Sequence, residues 1–137
     1  MNDAAVQRAG LELLLDWIDA LRKADLDAVH ELLVPDVVWY GLSDDLVCTG
    51  RPAVLDVLRE QVPVRCDGDA LELLRGPAHL VLGTRSDSLP HPPGIDVHGQ
   101  IYSVLEPRGD ALATIRDFAH RADALSAAGL ADRPVWA

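Results

Sequence analysis

The two halves of this chain carry different hydrophobic periods, and this change restricts the fold more than any other feature. In the first half apolar residues recur at helical spacing, whereas the second half contains alternating, β-branched runs bounded by Gly and Pro. We predict strands over residues 64–74, 78–87, 97–106 and 112–118. Helices first and a meandering sheet afterwards make an α+β arrangement.

Three helices and one early strand are predicted ahead of this sheet. The first helix has apolar side chains at i, i+3, i+4 and i+7, and the third has a proline in its first turn. A short alanine-rich helix that ends at Gly129 is predicted after the sheet. The predicted bounds are a helix over 5–23, a helix from Asp25 or Asp27 to Pro35, a strand over 36–40, a helix from 49–52 to Pro63 and a final helix over 119–130.

A sheet of this length must curl, and helices then cover its concave side. The curl leaves a cone-shaped pocket, and the mouth of such a pocket is a usual location for a small-molecule site. We therefore expect a cone-shaped, curled antiparallel sheet with three N-terminal helices. The length fits a single domain over residues 1–137, with a core over about 5–125.

The charge balance restricts the partners. Twenty-two acidic and twelve basic side chains give a net charge of −10, which repels phosphate backbones and anionic lipid surfaces. The first residues show no leader pattern, so we expect a cytoplasmic protein that binds neither nucleic acid nor membrane. The five histidines and two cysteines show no metal-type spacing, and no nucleotide-binding glycine loop is present. We expect no metal and no cofactor.

Two short motifs carry the candidate chemistry. Arg85 and Asp87 share one face of a predicted strand, and a neighbouring strand can set Asp117 opposite them. Two carboxylates with a guanidinium between them, in an apolar pocket, are suited to acid/base work on an uncharged substrate. Asp117 follows alternating apolar residues, so we expect it on the apolar side of the sheet, where an acid needs a partner or a function.

Five further residues are candidates for the pocket wall. His98 and Gln100 share one face of a strand, which is either a polar pocket wall or the outer face of the sheet. His79 is in phase with the Arg-x-Asp motif, so it lies either deep in the cone or as a hydrogen-bonded core histidine. Trp17 and Trp39 have the size and phase to line the pocket or to fill the core.

The element order and three segments resemble the nuclear transport factor 2-like superfamily, and within it the SnoaL-like proteins. These segments are 32–39, the helix start at 50–53, and the closing Ile-Arg-Asp-Phe at 115–118. The resemblance covers nearly the whole chain and implies the cystatin-like α+β barrel of that superfamily. It is weak for activity, because one fold can host many functions.

The limonene-epoxide hydrolase branch is similar in its site residues. The resemblance implies that Asp117 is the base that activates a water, that Asp87 is the acid, and that Arg85 links the two acids. The branch also holds its water with a Tyr and an Asn two residues apart. The matching positions here are Trp39 and Gly41, and an indole nitrogen can only donate.

The leading hypothesis is a SnoaL-like pocket protein that binds a small apolar molecule. It carries out cofactor-free acid/base catalysis on that molecule, such as epoxide hydration, isomerisation or cyclisation. The alternative is a binding or assembly module without turnover, and a third reading is an aldol-type cyclase that uses Asp117 and a histidine. Related proteins commonly dimerise through the outer face of the sheet, so the resemblance also implies a homodimer.

Overall fold

The computed structural model describes residues 3–42, 46–65, 70–85 and 100–130. Within these ranges the chain forms four helices and six strands. Their bounds are α1 (Asp3–Arg22), α2 (Leu26–Glu31), β1 (Leu33–Tyr40), β2 (Val47–Thr49), α3 (Arg51–Arg65), β3 (Ala70–Arg75), β4 (Leu80–Arg85), β5 (Gln100–Arg108), β6 (Ala111–Phe118) and α4 (Arg121–Ala127).

The strands form one curled, open sheet in the order β2-β1-β6-β5-β4-β3, which confirms the α+β class. One detail of the prediction is wrong, because the sheet is mixed and not entirely antiparallel. Strand β1 runs parallel to β6, whereas every other neighbouring pair is antiparallel. Helix α3 and four strands, β2 to β5, lie between β1 and β6 in the chain. Because no short hairpin turn joins β1 to β6, the two strands are free to pair in parallel.

The boundary between α2 and β1 lies earlier than the sequence predicts. Helix α2 ends at Glu31 and the strand begins at Leu33, so Pro35 lies inside the strand instead of ending the helix. The register between β1 and β6 shifts between Leu33 and Val38. Proline is tolerated at such an irregularity because its missing N–H breaks no regular ladder hydrogen bond.

The chain around α3 differs from the prediction at both ends. Before the helix, β2 forms a three-residue edge strand that the sequence does not predict, because three residues carry too little alternation. After it, α3 continues past Pro63 to Arg65 and β3 begins only at Ala70, so the strand predicted over 64–74 is shorter and later.

The larger core lies between α1, α2 and α3 and one face of the sheet. This is the helix-covered face that the element order predicts. Trp17 and Trp39 are both buried in this core. Its other buried members include Leu14, Ile18, Leu21, Val29, Val37, Val54, Leu58, Leu105 and Ile115.

Helix α4 covers part of the opposite face, which creates a second, smaller core around Val81, Tyr102 and Val104. Gly129 ends this helix with φ of +73°, as the sequence predicts, and the amide of Leu130 donates to the carbonyl of Leu125 at 2.8 Å. Glycine suits this left-handed position because it has no Cβ.

A buried ion pair attaches α4 to the sheet. Arg121 donates through Nε to Glu72 Oε1 at 2.9 Å and through Nη2 to Oε2 at 3.1 Å. Tyr102 Oη also donates to Glu72 Oε1, at 2.9 Å. Gly83 lies between Glu72 and Tyr102 in the strand register, and a Cβ added there would lie 2.5 Å from the Tyr102 ring. The glycine therefore lets the ring cross one strand to reach the carboxylate.

Candidate functional site

Asp117 is buried near the end of β6, with 7% of its surface exposed. It lies on the same strand face as the buried residues Ala113 and Ile115, as the alternating sequence predicts. Burial of a carboxyl group is unfavourable unless it is hydrogen-bonded. Donors from two neighbouring strands meet this need.

The first donor is the indole of Trp39 in β1, whose Nε1 lies 3.0 Å from Asp117 Oδ2. The parallel pairing of β1 with β6 sets Trp39 opposite Ile115, two residues before the acid. An indole N–H is a donor only, so its direction is unambiguous. Trp39 therefore orients one oxygen of the carboxylate.

The second donor is Ser103 in β5, which lies directly opposite Asp117 in the antiparallel register. Its Oγ donates to Asp117 Oδ1 at 2.7 Å, and the side chain is buried. Because each oxygen accepts a hydrogen bond from a neighbouring strand, the plane of the carboxylate is fixed. A carboxylate oxygen has more than one acceptor position, so these bonds are compatible with accepting a substrate proton.

Asp117 also lines a cavity of about 450 Å³ at the end of β1 and β6. This volume is in the usual range for small-molecule pockets. The wall combines apolar side chains with both signs of charge. It is lined by Tyr40, Gly41, Leu42, Leu46, Val47, Arg116, Asp117, Phe118, Ala119, His120 and Asp123.

Of the other two members of the proposed triad, the structure describes only the backbone of Arg85. Arg85 is the last residue of β4 and pairs with Gln100 of β5 and Ala70 of β3, but its side chain lies outside what the structure describes. Asp87 lies outside the described residues altogether. Their convergence on Asp117 stays a prediction.

The pocket-wall candidates lie in different places. Trp17 is in the core beneath the helices, and Gln100 is half-buried at the start of β5. His79 precedes β4, where its Nε2 lies 3.6 Å from Glu106 Oε2, and it does not line the cavity. His98 lies outside the described residues.

Sequence reasoning missed Ser103 and assigned no function to His120 or Arg116. The signal for Ser103 was its position between Ile101 and Leu105 on one strand face, where a hydroxyl is buried and needs a partner. His120 and Arg116 are exposed, and both line the cavity. That placement depends on how strand ends meet in space, which a local pattern does not reveal.

The described part of the chain contains no candidate metal site. No three His, Cys, Asp or Glu side chains come together there in a way that could hold a metal ion. Cys48 in β2 has a free thiol, and partial burial raises its pKa through desolvation. None of the helices described is both long and apolar enough to span a bilayer.

Residues 11–68 match the family model of the SnoaL-like domain. No match was found among curated protein sequences. The matched segment contains most of α1 together with α2, β1, β2 and α3, so it includes Trp39 but neither Ser103 nor Asp117.

Solved structures show the same fold at low sequence identity. A protein with a ketosteroid isomerase-like fold from Catenulispora acidiphila, solved with trimethylamine, is 17% identical with a TM-score of 0.52, and the match covers 90% of this chain and 98% of that one. A protein from Kribbella flavida provisionally called a ketosteroid isomerase is 19% identical with a TM-score of 0.58, over 81% and 77% of the two chains.

A third similar structure is a protein from Sinorhizobium meliloti with a provisional polyketide cyclase name. It is 16% identical with a TM-score of 0.55, and the match covers 77% of this chain and 93% of that one. The fold of this chain is therefore nuclear transport factor 2-like, and residues 11–68 are similar to the SnoaL-like domain. At these identities the likeness is one of fold and not of activity.

Proposed function

We propose that this protein is a SnoaL-like enzyme that performs cofactor-free acid/base catalysis on a small organic molecule, with Asp117 as the general base. The observation that carries this proposal is the buried carboxylate at the wall of a cavity, held by Trp39 and Ser103. A general base must lie within hydrogen-bond reach of the proton it takes, so fixing it beside an open volume is the first requirement.

The two donors support this role in a specific way. They orient the carboxylate before any substrate arrives, and orientation of a reacting group lowers the barrier by several kcal/mol, on the order of the effects seen for intramolecular reactions. Both Trp39 and Ser103 come from rigid strands that pair directly with β6. Groups on such elements are held more tightly than groups on loops.

The reactions that fit are isomerisation, cyclisation and hydration, because each needs one proton removed and one returned. Two of the structural neighbours have provisional names from the first two classes, ketosteroid isomerase and polyketide cyclase. Epoxide hydration also requires the side chains of Arg85 and Asp87 to lie beside that of Asp117. For the cyclase, His120 is the histidine that lines the same cavity.

The second candidate function is a ligand-binding or assembly module without turnover. Gly41 favours it, because this cavity residue carries no side chain that could hold a water. A Cβ at this position would also lie 2.8 Å from Leu46 Cβ, so a larger residue does not fit without movement.

The homodimer through the sheet stays part of either proposal, and sedimentation of the purified chain would test it.

The test is a turnover screen over epoxides, unsaturated ketones and polyketide-like oxo compounds. For any compound that turns over, we expect Asp117→Asn to lower kcat by about 10²-fold or more, because the amide cannot accept the proton. Asp110→Asn is the matched control, since it makes the same change at an exposed turn between β5 and β6. Equal turnover by Asp117→Asn and the wild type would remove the proposed base, and ligand binding without turnover would favour the second candidate.

A further inference from the structure

Arg116 lines the cavity, and neither the motifs nor the proposed base assigns it a function. It lies opposite Tyr40 in the parallel register of β1 and β6, so both side chains point to the same face of the sheet. Its guanidinium carbon lies 4.6 Å from the centre of the Tyr40 ring. Stacking of this kind engages the flat face of the guanidinium and restricts its rotation.

The edge of this guanidinium is not used by a carboxylate of the described residues. Other arginines do form such pairs, for example Arg59 with Asp56, Arg108 with Asp36 and Arg121 with Glu72. Acids outnumber bases almost two to one in this chain, 22 to 12. In the described ranges, however, Arg116 has the ring contact and no ion pair, although Asp117 and Asp123 line the same cavity.

Neighbouring residues in a strand point to opposite faces, so Arg116 and Asp117 would ordinarily serve different sites. They share one cavity here because it opens at the end of the sheet, where β1 ends at Tyr40 and β6 ends at Phe118. Apolar wall is supplied beside them by Leu42, Phe118 and Ala119. The cavity therefore offers a planar cation, a hydrocarbon surface and a buried base.

We propose that Arg116 is a specificity-determining residue that binds the carboxylate of the substrate, so that the substrate class is an organic acid with an apolar body. The planar fork of a guanidinium matches a carboxylate in two parallel hydrogen bonds. A chain with a net charge of −10 repels anions as a whole, so a carboxylate ligand needs a local cation such as this one. With its carboxylate bound to Arg116, the rest of the molecule can extend to Asp117 in the same cavity.

This inference rests on the proposed function only for the location of the site, and binding can test it without turnover. The probes are 1-naphthylacetate and 1-naphthylacetamide, which share an apolar body and differ in charge. Calorimetric titration of the wild type at low salt should give at least about tenfold tighter binding of the acid. Raising the salt concentration should narrow this difference, because the Arg116 side chain is exposed.

Three variants complete the test. Arg116→Gln should remove the preference for the acid, and Arg116→Lys should retain only part of it, because an ammonium group lacks the planar fork. Arg108→Gln is the matched control, since it removes an exposed arginine of β5 outside the cavity and should keep the full preference. Thermal unfolding of each variant verifies that it is folded.

The outcomes separate this inference from the proposed base. Equal binding of acid and amide by the wild type would overturn the role of Arg116, and so would failure of both to bind at millimolar concentration. Both outcomes are measured on the wild type alone. An acid preference that survives in Arg116→Gln would also overturn it. A preference that depends on Arg116 in a protein without turnover would uphold the inference while the proposed catalysis fails.

Discussion

Trp39 shows how one hydrogen bond gives a core residue a role in the site. Its ring fills the core beneath the helices, and its Nε1 donates to Asp117. Trp17 is buried in the same core, and none of its described contacts is a hydrogen bond to an acid. The two tryptophans therefore separate the contribution of packing from that of the indole donor.

We expect Trp39→Phe to lower the free energy of unfolding more than Trp17→Phe does. Both substitutions remove the same volume, but only the first removes a donor to a buried carboxylate, which costs about 1–3 kcal/mol. Chemical denaturation of both variants and the wild type measures the difference. Equal losses would mean that the bond to Asp117 contributes nothing net to stability.

Helix α4 depends on the sheet beneath it, because its seven residues are too few to form a stable helix alone. The Arg121–Glu72 pair holds it, with side chains 12% and 2% exposed. The same helix and its preceding residue bring Asp123 and His120 to the cavity. Loss of the ion pair should therefore affect both stability and ligand binding.

We expect Arg121→Met to lower the free energy of unfolding by about 3 kcal/mol or more, because Glu72 would be left buried without its cation. Arg108→Met makes the same chemical change in the exposed pair with Asp36 and should cost less than about 1 kcal/mol. Urea titrations give both values. If the double variant Arg121→Met, Glu72→Met were less stable than Arg121→Met alone, the explanation by an unpaired buried charge would be wrong.

Local patterns predicted the helices, the last two strands and the burial of Asp117, because each depends on periodicity within one element. The parallel pairing of β1 with β6 could not be predicted in this way, and it is this pairing that brings Trp39 to Asp117. Ser103 likewise depends on the register between β5 and β6. The meeting of Arg85, Asp87 and Asp117 stays a prediction.

The long-range pairing also makes the two halves of the chain interdependent. Residues 11–68 match a family model, yet within this segment β1 has only the three-residue strand β2 beside it. Its other partner, β6, lies near the far end of the chain, and the core residues Val37 and Leu58 pack in a cluster with Leu105 and Ile115. Pairing between segments so far apart in the chain slows folding.

We therefore expect a fragment of residues 1–68 to be unfolded in isolation. Far-UV circular dichroism should show no cooperative thermal transition for this fragment, whereas the full chain should unfold in one step. Addition of a fragment of residues 69–137 should restore part of the signal, because it supplies β6. A cooperative transition in the first fragment alone would contradict this expectation.

The contact between Trp39 and Asp117 also provides an optical signal at the proposed base. Indole emission responds to the electric field around the ring, and the nitrogen of this ring donates to a carboxylate oxygen at 3.0 Å. A ligand that enters the cavity and contacts that oxygen will change this field. Fluorescence of the unlabelled protein can therefore report occupancy where the chemistry is proposed to occur, even for compounds that are never converted.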